Sequence, residues 1–439
     1  MNAFLSSFDQ TLYNFIYLLA VWPAVGFVAY LRRLPQFRQR DSISFTTVPQ
    51  ERLSSATEAN NVVTRALEQP PTLHAEPRKA ASYYRPELDA LRFFAFPSVF
   101  IAHSPTLNYG SSSQLWKQEI GRALDRAAHA GVYGLPLFFF LSSFLITELL
   151  LREHEKTGSI HVKAFYARRI LRIWPLYYLG VLCAIAVSAI PSGYPLTHRE
   201  IVYLVFFLGY LGGAYHGNPL GILWSISVEE LFYVAWPWIA RAGKQVIKCV
   251  AFLCFPVSLA TLWIVLPDAW YNPICHFLFF ATGALVALKF HQRAWSLSLL
   301  GRILMFAAGV IAWLMPIFYW DASRWVNRTS FLIADIGVVL IFLSVFQFNA
   351  NRIPRWTIYL GQISYGLYVF HLVSLRFVER VIIRHLSFAG SQFCTLLTTM
   401  ALSLVLTIAI ASVSYRYFEM PFLRLKERFQ FIRSRSVSA

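Results

Sequence analysis

The sequence predicts an all-α, polytopic transmembrane helix bundle of about ten core spans with one extra span in front, and three observations carry that prediction. Of its 439 residues 57% are hydrophobic and only 14% charged, with a mean hydropathy of +0.50, which leaves too little polar surface to clothe a soluble globule of this size. Apolar runs about long enough to cross a bilayer recur along the whole chain. Lysines and arginines fall in short clusters between those runs, the pattern in which charge sets topology. That clustering also argues against nucleic acid as the partner implied by the formal charge of +17. The five cysteines stand singly within or beside apolar runs, so they form neither a disulfide framework nor a metal-ligand spacing.

The chain opens with TLYNFIYLLAVWPAVGFVAYL, residues 11 to 31, followed by Arg32, Arg33, Arg38 and Arg40. A signal peptide carries its charge before the apolar stretch, the reverse of this order. Residues 1–31 therefore read as an extra transmembrane helix with its basic end in the cytoplasm. Residues 32–82 are polar, mixed in charge and broken by Pro70, Pro71 and Pro77, which makes them a cytoplasmic linker with little core of its own. The membrane domain occupies 83–426, and a basic cytoplasmic tail follows over 427–439.

Within the membrane domain, apolar runs lie at roughly 88–107, 131–151, 170–190, 199–215, 223–240, 246–266, 273–290, 300–320, 331–348, 358–378 and 394–415. Five basic clusters belong inside: Arg152 to Arg172, Arg241 to Lys248, Lys289 to Arg302, Arg352 with Arg355, and the tail from Arg416. Strict alternation satisfies all five only if the two runs between 199 and 240 make one crossing. One of them is then re-entrant or broken, which protein or a wet cavity must surround. Gly212, Gly213, Gly217, Pro219 and Gly221 between them suit a break. The N-terminus falls outside and the C-terminus inside, and Arg376, Arg380 and Arg384 fall outside.

Five constellations carry chemistry. RFFAFPSVFIAH places Arg92 and His103 about 16 Å apart along one helix. Ionisable groups at such depth usually face a polar cavity. An imidazole there suits a general base, while a structural or proton-relay role stays open. In ARRILRIWPLYY, Arg169 and Arg172 share a helical face. They form either a positive-inside anchor or a phosphate clamp. LWSISVEELFY holds Glu229 and Glu230, about 100° apart on a helix, so only one faces a cavity. That glutamate either works at the site or neutralises a buried arginine such as Arg92. Ser225 and Ser227 cap the broken helix or bind substrate. ISYGLYVFHL sets Tyr368 three residues before His371, a histidine that either packs or binds substrate. YRYFEMPFLRLKERF, with Glu419 and Pro421, reads as a membrane-exit signal.

Together, YRPELDALRFFAFPSVFIAHS, FFFLSSFLIT, RRILRIWPLYY, LWSISVEELFY, ISYGLYVFHL and YRYFEMPFLRL resemble, in that order, the motifs of the acyltransferase 3 family of integral membrane acyltransferases, over about residues 83 to 426. The chain departs from the family's pattern at Ser143 and Ala90, where glycine is common. The resemblance implies a bundle of about ten helices that moves an acyl group, often acetyl, from a cytoplasmic acyl-CoA to a hydroxyl. The acceptor is frequently on a surface polysaccharide or glycan precursor, and the setting a bacterial inner membrane. It maps the family's arginine–histidine signature onto Arg92 and His103, and its paired arginines onto Arg169 and Arg172.

The mechanism this implies uses acyl-CoA as a substrate, with no resident cofactor and no metal. Arg169 and Arg172, helped by Arg168, hold the donor phosphates. His103 takes the acceptor proton and returns it to the departing thiolate. Arg92 or a nearby hydroxyl stabilises the oxyanion, and Glu229 orients His103 or balances Arg92. Glu230, Ser225, Ser227, Tyr368 and His371 complete the substrate-binding candidates. A rival of another class is a proton-coupled transporter or flippase using the same buried charges.

Overall fold

The computed structural model describes residues 83–105, 115–188, 195–212, 218–264, 268–315, 324–383 and 392–432. The expected first span, the linker, and Gly213 and Gly217 of the expected break lie outside the described residues. Those described fold entirely into helices and their connections. In order these are α1 (Pro86–His103), α2 (Leu115–Ala130), α3 (Gly134–Thr157), α4 (Val162–Ser188), α5 (His198–Val205), α6 (Trp224–Arg241), α7 (Lys244–Ile264), α8 (Pro273–Phe290), α9 (Leu299–Leu314), α10 (Arg324–Val345), α11 (Arg355–Gln362), α12 (Ser364–Phe377), α13 (Gln392–Ser414) and α14 (Met420–Lys426). By length and apolarity five described helices qualify to cross a membrane, or six with the bent pair α11 and α12, and α9 and α10 are shorter apolar helices. The outward faces are apolar, with Ile264, Phe252, Leu300 and Val405 among the exposed side chains, as expected of helices whose solvent is hydrocarbon.

Four basic segments meet at one end of the bundle. Glu155 of α3 contacts Lys244 at 3.4 Å and His291 at 2.7 Å. Gln347 donates to the Arg293 carbonyl, and Lys156 to the carbonyl of Phe431 in the tail. His291 holds Glu148 on its other ring nitrogen at 2.8 Å. That bond raises its pKa above the ordinary 6.5 and favours the doubly protonated ring that both contacts use. The segments that alternation assigns to a single side are thus neighbours, on what we call the basic face. At the far end of α12, Arg376 is partly neutralised by Glu379 at 2.9 Å.

The expected break between residues 199 and 240 is present. The eight residues of α5 span only about 12 Å, and the chain resumes as a helix at Trp224. The final carbonyls of α5, orphaned as at any helix end, are satisfied from α4: Tyr177 donates to Leu204 and Tyr178 to Val205. Phe207 takes a left-handed φ of 57° and stacks on Tyr177 with centroids 4.0 Å apart, a ring contact that offsets the backbone strain. Ser227 accepts the Gly209 N–H. A second break, at Ile363, bends α11 from α12 by 74°.

Close helix contacts fix where α1 lies. At Gly361 of α11 a methyl group would fall onto the Asp89 carbonyl, so this crossing needs glycine. Gly361→Ala is expected to push α11 off α1 and destabilise the fold by several kcal/mol, read as a fall in the melting temperature of the detergent-purified protein. On the other side, a methyl at Gly134 would meet the Ala95 carbonyl at 2.6 Å. Ser143, where the family pattern commonly has glycine, is accommodated: fully buried, it donates across to the Phe280 carbonyl of α8.

Candidate functional site

Five helices surround a cavity of about 140 Å³. Tyr84 and Arg85, before α1, line its mouth at the basic face, and Asp89 and Arg92 stand one and two turns along that helix. Arg169 and Arg172 of α4 face them, and α6 supplies Ser225, Glu229 and Tyr233. Leu135, Phe138 and Ser142 of α3 and Ser364, Tyr365 and Tyr368 of α12 close the wall. Leu135 and Ser225 lie in the first turns of helices that end at the basic face. The cavity therefore penetrates most of the bundle, with arginines at its mouth and aromatic rings at its floor. There Tyr368 OH and Ser225 Oγ are 2.7 Å apart, and the Phe138 ring lies edge-on to Tyr368 at 6.2 Å.

The charges in the wall are individually supported. Arg92 pairs with Asp89 at 2.9 Å. Glu229 accepts from Tyr233 OH at 2.7 Å and Ser142 Oγ at 3.1 Å. The Arg169 guanidinium lies over the rings of Phe165 and Tyr233, at 5.6 and 5.5 Å from their centroids. Its Nε is a buried donor with no hydrogen-bond acceptor among the described residues, an arrangement that suits an anionic ligand. Arg172 is within electrostatic reach of Glu419, which is 7% exposed in the π turn Tyr415–Glu419.

Of the residues singled out in the sequence, the cavity unites Arg92, Arg169, Arg172, Ser225, Glu229 and Tyr368. Glu230 is not in its wall and approaches Trp174 instead, so one glutamate of the two faces inward, as helix geometry requires. Ser227 braces the break at Gly209 rather than the cavity. Arg168 is held by Glu153 at 2.7 Å and donates to the Phe429 carbonyl, which ties α4 to α3 and the tail and takes it out of the clamp. His103 also stands apart, exposed at the far end of α1, about 16 Å along the helix from Arg92. Arg92 and Glu229 are therefore not its neighbours; the ring of His371, fully buried one turn beyond Tyr368, lies beside it.

The two imidazoles touch. His371 Nε2 lies 3.5 Å from His103 Nδ1, with ring centroids 5.2 Å apart. The cavity floor and His103 are thus separated by about one helical turn of α12.

Sequence reading missed Asp89, Ser142 and Tyr233, and took Glu419 as part of a membrane-exit signal. Asp89 precedes Arg92 by three residues and Tyr233 follows Glu229 by four, spacings that share a helical face and could have revealed both. Ser142 left no such signal, because it meets Glu229 across the fold, and the approach of Glu419 to Arg172 is likewise non-local.

The acyltransferase domain family matches residues 85–416 of the chain. The "Peptidoglycan O-acetyltransferase OatA" of Listeria monocytogenes (serovar 1/2a, strain EGD-e) is 24% identical over 382 residues, which cover 77% of this chain and 56% of that protein. "Putative O-acetyltransferase SAS0844" of Staphylococcus aureus (strain MSSA476) is 25% identical over 372 residues, 77% of this chain and 57% of its own length. The chain thus spans a little over half the length of these relatives. No solved structure matches it. With three quarters of its length inside the matched domain and the six motifs in order, the chain belongs to the acyltransferase 3 family of membrane proteins.

Proposed function

We propose that this protein is an integral membrane O-acyltransferase that carries an acetyl group from acetyl-CoA to a hydroxyl of a cell-surface glycan. The observation that carries the reading is the deep cavity with an arginine-lined mouth whose floor ends one turn from a histidine at the opposite end of the bundle. The donor enters from the basic face, which the positive-inside rule assigns to the cytoplasm together with the C-terminus. Arg169 and Arg172 bind its phosphates. The thioester arm runs past Arg92 and Glu229 to the floor at Tyr368, one turn of α12 from the histidine pair. Peptidoglycan, named for the Listeria relative, is the acceptor class this reading favours, in a bacterial inner membrane.

At the reacting end, His103 accepts the acceptor's hydroxyl proton as the oxygen attacks the thioester carbon. The C–S bond breaks, the ester forms, and the proton passes from the imidazole to the thiolate, leaving CoA with a free thiol. Arg92 and Glu229, at the level of the donor arm, hold the donor in place; the oxyanion is met at the floor, where the Tyr368 and Ser225 hydroxyls are available.

The purified protein, in detergent and without any ion gradient, is expected to release CoA from acetyl-CoA and to label a peptidoglycan fragment with the acetyl group. Absence of both reactions, together with gradient-dependent movement of a glycan in vesicles, overturns this reading in favour of a transporter.

A further inference from the structure

We propose that His371 is the positioning residue of the reaction, a second acceptor for the His103 Nδ1–H that supports the charge formed when His103 Nε2 acts as base. The inference rests on the reading of His103 as general base and adds a partner to it. A backbone carbonyl can only accept a hydrogen bond. His371 Nδ1 lies 2.6 Å from the Tyr368 carbonyl, so it carries the ring hydrogen, and the lone pair of the neutral ring is on Nε2. His103 Nδ1 lies 2.8 Å from the Val99 carbonyl and carries its hydrogen for the same reason, which puts its lone pair on Nε2 as well.

The His371 lone pair therefore faces the His103 Nδ1–H as a second acceptor, at 3.5 Å, beside the Val99 carbonyl at 2.8 Å. When His103 takes the acceptor proton on Nε2, the new positive charge spreads to Nδ1–H, and His371 Nε2 accepts from it. This is the task that a carboxylate performs in a serine-type triad, carried out here by a neutral ring. A second buried charge at that depth would itself need a partner. The ring is fixed for the purpose: its centroid lies 6.1 Å from Phe96 edge-to-face, 6.5 Å from Phe100 and 5.6 Å from Tyr368.

His371 does not relay the proton into the cavity. Its inner nitrogen already donates to a carbonyl, which cannot pass a proton on, so the proton removed from the acceptor leaves through His103 Nε2.

His371→Phe preserves the ring packing and removes the acceptor nitrogen, whereas His371→Gln keeps an acceptor oxygen near the same place. The expected result is a fall in kcat of about 100-fold for His371→Phe, with KM for acetyl-CoA within about twofold of the parent because the donor mouth is untouched. His371→Gln is expected to recover kcat to within about tenfold. Equal losses in His371→Phe and His371→Gln, or full activity in His371→Phe, overturn the proposal.

A second readout needs no turnover. Nitrogen-15 spectra of histidine-labelled protein, assigned by difference against His103→Ala, are expected to report a neutral His103 with its hydrogen on Nδ1; hydrogen on Nε2 overturns the proposal even where the Phe variant fails to fold. Full transfer activity in His103→Ala would sink the base itself, an outcome distinct from a dispensable His371.

Discussion

Replacing His103 by alanine is expected to lower the rate of acetyl transfer by about 100- to 10,000-fold, the usual contribution of a positioned general base. The folded protein is expected to remain in the membrane. His103 is exposed at the last residue of α1, and its edge-to-face contact with His371 lies at that helix end rather than at a close backbone crossing such as that of Gly361 on Asp89. Substitution at such a position typically changes stability by under about 0.5 kcal/mol. The check is paired: CoA release with a glycan acceptor, and the melting temperature of the same sample. Donor binding is expected to be kept, since the arginine mouth lies at the other end of the helix. A variant that retains full transfer would remove the base from the mechanism.

Arg169→Ala is expected to act at the opposite end, through donor affinity. Loss of a bidentate, charge-assisted contact to a phosphate is worth about 1.5–3 kcal/mol, so KM for acetyl-CoA rises about 10- to 100-fold. The guanidinium lies over two aromatic rings, Phe165 and Tyr233, and the planar, weakly hydrated group suits that site where an ammonium does not. Arg169→Lys is therefore expected to rescue little, although it keeps the charge. Arg168→Ala should leave KM nearly unchanged while lowering stability, because that side chain is committed to Glu153 and the tail carbonyl of Phe429. A KM in Arg169→Ala equal to the parent's, by direct titration with acetyl-CoA, would contradict the phosphate clamp.

Neighbouring residues in one short motif thus separate sharply. Arg168, Arg169 and Arg172 are consecutive or one turn apart, and sequence places them on one end of one helix. Which of them faces the cavity depends on where Glu153 of α3 and the returning tail lie. Nothing in the spacing of RRILR encodes that. The paired glutamates were more legible: 100° of helical rotation requires one inward and one outward residue, and the cavity takes Glu229. Even there, the partners of Glu229 are Ser142, on another helix, and Tyr233, one turn away. His103 was legible as an ionisable group at the end of an apolar helix, but its neighbour was not. The contact with His371 joins residues 268 apart in the chain.

By itself the sequence determined the class of the molecule, a helical membrane bundle. Composition fixes what solvent a chain can tolerate, and apolar runs fix where its helices lie. Charge alternation also pointed to an interruption between residues 199 and 240, where α5 is only eight residues long and a helix resumes at Trp224. The tertiary structure decided how the chemical groups are divided: arginines and Glu229 around a cavity open to the basic face, and two histidines beyond its floor. The physical reason is that helical periodicity is local, whereas a cavity and a ring-to-ring contact arise from how separate helices approach, and close crossings such as that of Gly361 on Asp89 set that approach.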